Sequence, residues 1–129
     1  MLSQELLSAK YISFATQKRD GSMVATPVWA GNEDTSLFVF SEADAGKVKR
    51  LRNFSQATVA PCTAIGRVTG NTYHCDARIL ESDLEIQRAY KALNRKYGFL
   101  MRVTDFFSKL TGRYDNRALI QIDVGKQTS

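Results

Sequence analysis

A chain of 129 residues fits one domain with a single core, and 43% hydrophobic with 24% charged residues excludes wholesale disorder. No stretch approaches the roughly 18 continuous apolar residues of a membrane helix. A net charge of +5 and a pI near 9.4 favour anionic partners, either nucleic acid or a phosphorylated small molecule.

The N-terminus, MLSQELLSAKYISF, has neither a basic leader nor a sustained apolar run, so no signal peptide is expected. With only Cys62 and Cys75, reduced thiols in a cytoplasmic protein are the simplest reading. A short helix is expected around Gln4–Ala9. Lys10–Thr16, rich in aromatic and β-branched residues, reads as the first strand. Asp20-Gly21 is the turn signal that joins it to a second strand, Met23–Ala30. Pro27 lies inside that strand and cannot donate a ladder hydrogen bond. The strand is therefore an edge, a bulge, or a place where something other than a strand is met.

Gly31–Asp34 reads as a turn and Ser36–Phe40 as a third strand, with apolar residues on both faces. SEADAGKVKRLR, residues 41–52, then opens a short helix. Further strands are expected at Thr58–Cys62 and Thr72–Leu80, separated by the glycine-bearing loop Gly66–Asn71. Ile86, Tyr90, Leu93, Tyr97 and Leu100 recur at helical spacing, and Gly98 interrupts them. A second helical stretch carries Phe106, Phe107 and Leu110, and Arg117–Val124 is the closing strand. The expectation is a mainly β, six-stranded antiparallel barrel with flanking helices, as one domain over residues 1–129.

Three segments offer chemistry. In the first, Gly46 permits close approach to a ligand, and Lys47, Lys49 and Arg50 add full charges. A solvated helix face is the plainer reading of the same run. In the second, ATPVWA, Thr26 offers a hydroxyl and Trp29 a flat surface that would border a planar ring. An edge strand with a core tryptophan is the alternative. In the third, APCT followed by Gly66-Arg67, a proline at a strand end and a basic loop would wall a pocket.

Cys62 lacks a cationic environment and is a poor nucleophile. His74-Cys75-Asp76 is not expected to hold metal, because neighbouring strand residues point to opposite faces. Arg88, Lys91, Arg95 and Arg102 read as a solvated helix face in preference to a nucleic-acid surface.

The order of these segments resembles the small split-barrel proteins related to pyridoxamine 5′-phosphate oxidase. Among them it is most similar to the group described as enzymes of the deazaflavin coenzyme F420. The likeness spans nearly the whole chain, from KYISFATQKRDGS through Pro-Val-Trp, Gly-Lys-Val-Lys-Arg-Leu and Ala-Pro-Cys to YKALNRKYG.

That resemblance implies a six-stranded split β-barrel in a homodimer, with cofactor sites at the interface. It places Lys47, Lys49 and Arg50 near the cofactor phosphate, and Thr26, Pro27, Val28 and Trp29 along the ring system. Ser41 falls at the strand end, where these proteins often carry a small hydroxyl residue. Pro61, Cys62 and Arg67 match the remaining motifs. The implied activity is hydride transfer between reduced F420, or alternatively FMN, and a small conjugated or unsaturated molecule. No catalytic pair stands out, and Tyr73 is one candidate proton donor. A split barrel that binds a flavin, heme or pigment without turnover is the rival. No nucleic-acid or membrane partner is expected.

Overall fold

A computed structural model describes residues 2–33, 35–42, 45–97 and 117–127. In chain order the elements are α1 (Gln4–Ser8), β1 (Tyr11–Gln17), β2 (Met23–Val28), β3 (Gly31–Glu33), β4 (Ser36–Glu42), α2 (Gly46–Asn53), β5 (Gln56–Cys62), β6 (Tyr73–Ile79), α3 (Asp83–Tyr97) and β7 (Arg117–Gln127). The helical stretch expected around Phe106, Phe107 and Leu110 lies outside the described residues.

The described strands form one antiparallel sheet in the order β2-β1-β5-β6-β7-β4-β3. Its two edge strands, β2 and β3, are consecutive in the chain, with only Trp29 and Ala30 between them. Such a short link forces the sheet to curl until its edges approach, which makes an open barrel with a seam at Trp29–Ala30. Pro27 accordingly sits on an edge strand, opposite Ser13 of β1.

Among the described residues there are seven strands where six are expected. The extra one, β3, falls in the segment read as a turn, and pairs Gly31 with Phe38, Asn32 with Leu37 and Glu33 with Ser36. Gly and Asn are weak strand formers, and tertiary packing overrides that preference. The backbone of α3 lies so close that a Cβ at Gly31 would sit 2.6 Å from the Ala92 carbonyl carbon and oxygen. The expected Asp-Gly turn is formed, with Gly21 at φ 90° and Lys18 N–H donating to Ser22 O at 2.8 Å.

Two apolar layers result. Inside the curl, Phe14, Ile12, Val59, Ile120 and Ile122 pack with Leu6 of α1 and with Val48 and Leu51 of α2. Outside it, α3 lays Ala89, Ala92, Leu93 and Tyr97 on Phe38, Leu80 and Leu119. Strand β4 serves both layers, Leu37 and Val39 inward and Phe38 outward, as its two apolar faces require.

The outer edge of α3 is tied down by charge. Glu33 pairs with Arg88 and, at 3.7 Å, with Arg95, while Arg78 of β6 pairs with Glu85. Arg88 and Arg95 thus help dock the helix. Hydrogen bonds from Arg88 and Arg78, respectively, hold the Glu33 and Glu85 carboxyls below their ordinary range. A lowered folded-state value means that these carboxylates stabilise the fold above about pH 4.3 and lose that contribution as pH falls through their folded values. Acid titration is therefore expected to loosen α3 first, read as a change in Trp29 fluorescence ahead of the loss of β-sheet circular dichroism.

Candidate functional site

Two cavities lie at opposite ends of β2, and α2 supplies cations to both. The first, about 300 Å³, is lined by Tyr11, Pro27, Val28, Trp29, Phe40 and Lys47. Three aromatic rings and a proline surround one ammonium there, a composition suited to a flat ring carrying negative charge nearby. The second, about 410 Å³, lies between the β1–β2 turn (Gln17, Lys18, Arg19, Asp20) and Lys49, Arg50 and Asn53 of α2. Four cations face one carboxylate in it. The Asp20 carboxylate is already engaged by the Ser22 N–H at 2.9 Å and hydroxyl at 2.6 Å, and these bonds hold its pKa low.

Arg50 is fixed within the second cavity. Its Nε donates to Oγ1 of the fully buried Thr16 at 2.6 Å, which restricts the guanidinium while leaving its terminal nitrogens as further donors. A Cβ at Gly46 would lie 2.8 Å from Nη1 of Arg50, so the glycine leaves room for the guanidinium over the first turn of α2. Helical geometry separates the two cation sets: Lys47 and Lys49 are about 200° apart around the axis and serve different cavities.

Trp29 is positioned from behind. Its ring stacks on Tyr97 with centroids 5.0 Å apart and planes 12° apart. Thr26 pairs with Phe14 across β1–β2, and its hydroxyl is shielded from water without a hydrogen-bond partner among the described residues.

Of the residues anticipated from sequence, Pro27, Val28, Trp29 and Lys47 meet in one cavity, and Lys49 and Arg50 in the other. Thr26, Ser41, Pro61, Cys62 and Arg67 line neither. Ser41 is buried at the end of β4, opposite Ala118, and Pro61 pairs with Ile12 inside β5. Cys62 is buried, and burial raises its thiol pKa, which leaves it unreactive. Arg67 is exposed on a loop whose Gly66 approaches Pro27; a Cβ at Gly66 would be 3.7 Å from Pro27 Cδ. Tyr73 points into the core and bonds toward Glu5, away from both cavities.

Sequence reasoning missed Tyr11 and Phe40 in the first cavity, and Lys18, Arg19 and Asn53 in the second. The Lys18-Arg19 pair beside the Asp-Gly turn was the available signal. Along β6, His74 and Asp76 are exposed while Cys75 is buried, the alternation expected of a strand. Burial pushes the Cys75 thiol up to about 12. Among the described residues no helix is long and apolar enough to cross a membrane.

No protein-family model and no curated protein matches the chain. Solved structures do. The heme storage protein HutZ of Vibrio cholerae superposes with a TM-score of 0.69 at 13% identity, over 95% of this chain and 87% of that one. A FAD-binding protein of Mesorhizobium loti gives 0.65 at 13%, over 96% and 85%. A Clostridium acetobutylicum protein of the pyridoxinephosphate oxidase family, related to general stress protein 26 of B. subtilis, gives 0.67 at 10%, over 94% and 79%. These neighbours are split-barrel proteins of the pyridoxamine 5′-phosphate oxidase type, and this chain has their fold.

Proposed function

We propose that the protein is an oxidoreductase that binds a phosphorylated flavin-type cofactor, F420 or FMN, and passes hydride to a small conjugated or unsaturated molecule. The observation that carries this reading is the first cavity, where Trp29, Tyr11 and Phe40 surround Lys47 at an edge strand. Its composition fits a tricyclic ring, and the cationic second cavity at the other end of β2 fits an anionic chain extending from that ring. A homodimer in a cytoplasmic setting completes the proposal, with the partner subunit closing the open side of the site. The resemblance of Pro-Val-Trp and Lys-Val-Lys-Arg-Leu to the F420 group favours the deazaflavin over FMN, and the FAD-binding neighbour supports a flavin in general.

The chemistry that the cofactor supplies when bound is hydride transfer. What this chain contributes is binding, orientation and exclusion of water. Pro27 cannot donate a backbone hydrogen bond, and β2 is an edge strand, so its backbone groups that do not pair with β1 are available to the polar rim of a ring. Lys47 and Arg50 supply charge-assisted hydrogen bonds to phosphate or carboxylate groups. Trp29, Tyr11 and Phe40 exclude water from the ring face. Hydride transfer depends on how closely and in what orientation the two reactants are held, which is what this cavity lining can supply.

A non-catalytic flavin, heme or pigment binder is the second reading, supported by the heme storage neighbour. Mixing the protein with reduced F420 or reduced FMN and a conjugated acceptor separates the two. Protein-dependent oxidation of the cofactor supports the enzyme; binding without oxidation across a panel of acceptors supports the binder.

A further inference from the structure

Trp29–Ala30 has two duties. It is the whole of the seam between β2 and β3, the two edges of the sheet, and it presents Trp29 to the first cavity. A two-residue link between edge strands has no ladder of its own to hold it. Its backbone is held instead by Tyr97, at the end of α3.

The Tyr97 hydroxyl accepts the Ala30 N–H at 2.9 Å, and its own proton points between Lys10 O at 2.9 Å and Ala30 O at 3.2 Å. One phenol therefore ties the seam to the start of β1. Its ring also forms the stacked backing of Trp29. The side chain is buried, and burial pushes the phenol up to about 12, so it remains protonated and the same bonds persist through the neutral range. The Lys96 ammonium lies 5.6 Å from the ring centroid, a further contact on the same side chain.

We propose that Tyr97 is a positioning residue for the cofactor ring: its hydroxyl locks the seam and its ring sets the plane of Trp29, so that the cavity wall is formed before a ligand arrives. The ligand named rests on the flavin-type reading above; the control of Trp29 rests on geometry alone. The consequence is that α3, which contributes no lining residue to the first cavity, governs affinity there. A preorganised wall lowers the ordering cost of binding, so loss of the lock weakens the complex without removing any ligand contact.

Trp29 is the only tryptophan in the chain, so its fluorescence reports on this residue and no other. Tyr97→Phe keeps the stacked ring and removes the hydroxyl bonds; Tyr97→Leu removes both. Far-UV circular dichroism first establishes that each variant is folded, and Trp29 emission, acrylamide quenching and the FMN and F420 dissociation constants are then measured beside the wild type. In Tyr97→Phe the emission is expected to move to the red and quenching to rise. The cofactor dissociation constant is expected to rise about tenfold, the equivalent of one buried hydrogen bond. Tyr97→Leu should move all three readouts further.

A tyrosine of purely structural use would lower thermal stability and leave native Trp29 and the affinity unmoved. That result in either folded variant overturns the proposal, as does a displaced Trp29 with wild-type affinity. If the wild type binds neither FMN nor F420 while Trp29 still responds to both substitutions, the cofactor reading falls and the control of Trp29 by Tyr97 stands. If the wild type binds and both variants bind equally well with Trp29 unmoved, the positioning role falls and the cofactor reading stands.

Discussion

Replacing Lys47 and Arg50 together by alanine is expected to weaken FMN or F420 binding by about 2–4 kcal/mol, roughly 30- to 1,000-fold in Kd. Each residue represents one cavity, Lys47 beside Trp29 and Arg50 beside Lys18 and Arg19. If one ligand spans both, each single substitution weakens binding, and raised ionic strength weakens the wild type more than the double variant.

Arg50 needs a control, because its Nε satisfies a fully buried hydroxyl, Thr16 Oγ1. Removing that donor costs about 1–3 kcal/mol of stability apart from any effect on ligand. Arg50→Lys keeps the charge but not the fork of donors, so it should restore only part of the affinity. Calorimetric titration of each variant, with thermal melts of the free proteins, separates the two effects. An unchanged Kd in the folded double variant would show that these charges belong to a solvated helix face.

The second large effect is on stability. Gly31→Ala is expected to destabilise the fold by about 2–3 kcal/mol, because the new methyl meets backbone atoms of Ala92 that no rotamer change can move. Either α3 lifts from β3 or β3 leaves the sheet edge. At this chain length the loss corresponds to a fall in Tm of roughly 10 °C. The same displacement moves Tyr97 relative to Ala30, so Trp29 fluorescence should change in the native state of this variant too. A melting temperature within a degree or two of wild type would mean that α3 is not packed on β3 as described.

Much of the barrel was legible because its strands carry local signals. Ile12–Thr16 is a buried run, Tyr73–Ile79 alternates, and Asp20-Gly21 marks its hairpin. β3 was not legible, since Gly31-Asn32-Glu33 has turn chemistry. Its strand character comes from the approach of Ala92 and from Arg88 and Arg95 on Glu33, contacts more than 50 positions away in sequence. The candidate site divides in the same way. Trp29 and Lys47 announce themselves by residue type, but their meeting with Tyr11 and Phe40 follows from the curl of the sheet.

One chemical fact about α2 was also hidden in its one-dimensional form. Lys47, Lys49 and Arg50 read as a single grip, whereas the helix turns Lys47 toward Trp29 and Lys49 and Arg50 toward the β1–β2 turn. Ser41, Pro61 and Cys62 sit in motifs that look functional yet are buried within strands. Burial depends on partners far along the chain, and no local pattern reports it.

The most direct test of the central claim is a titration of the purified wild-type protein with F420 and with FMN, followed by quenching of Trp29 and by the absorbance of the cofactor. Saturable quenching at micromolar concentration, with each cofactor raising the apparent Kd of the other as competition for one site requires, is the predicted result. Absence of any change in Trp29 or in cofactor absorbance with both compounds would contradict a flavin-type site beside Pro27 and Trp29.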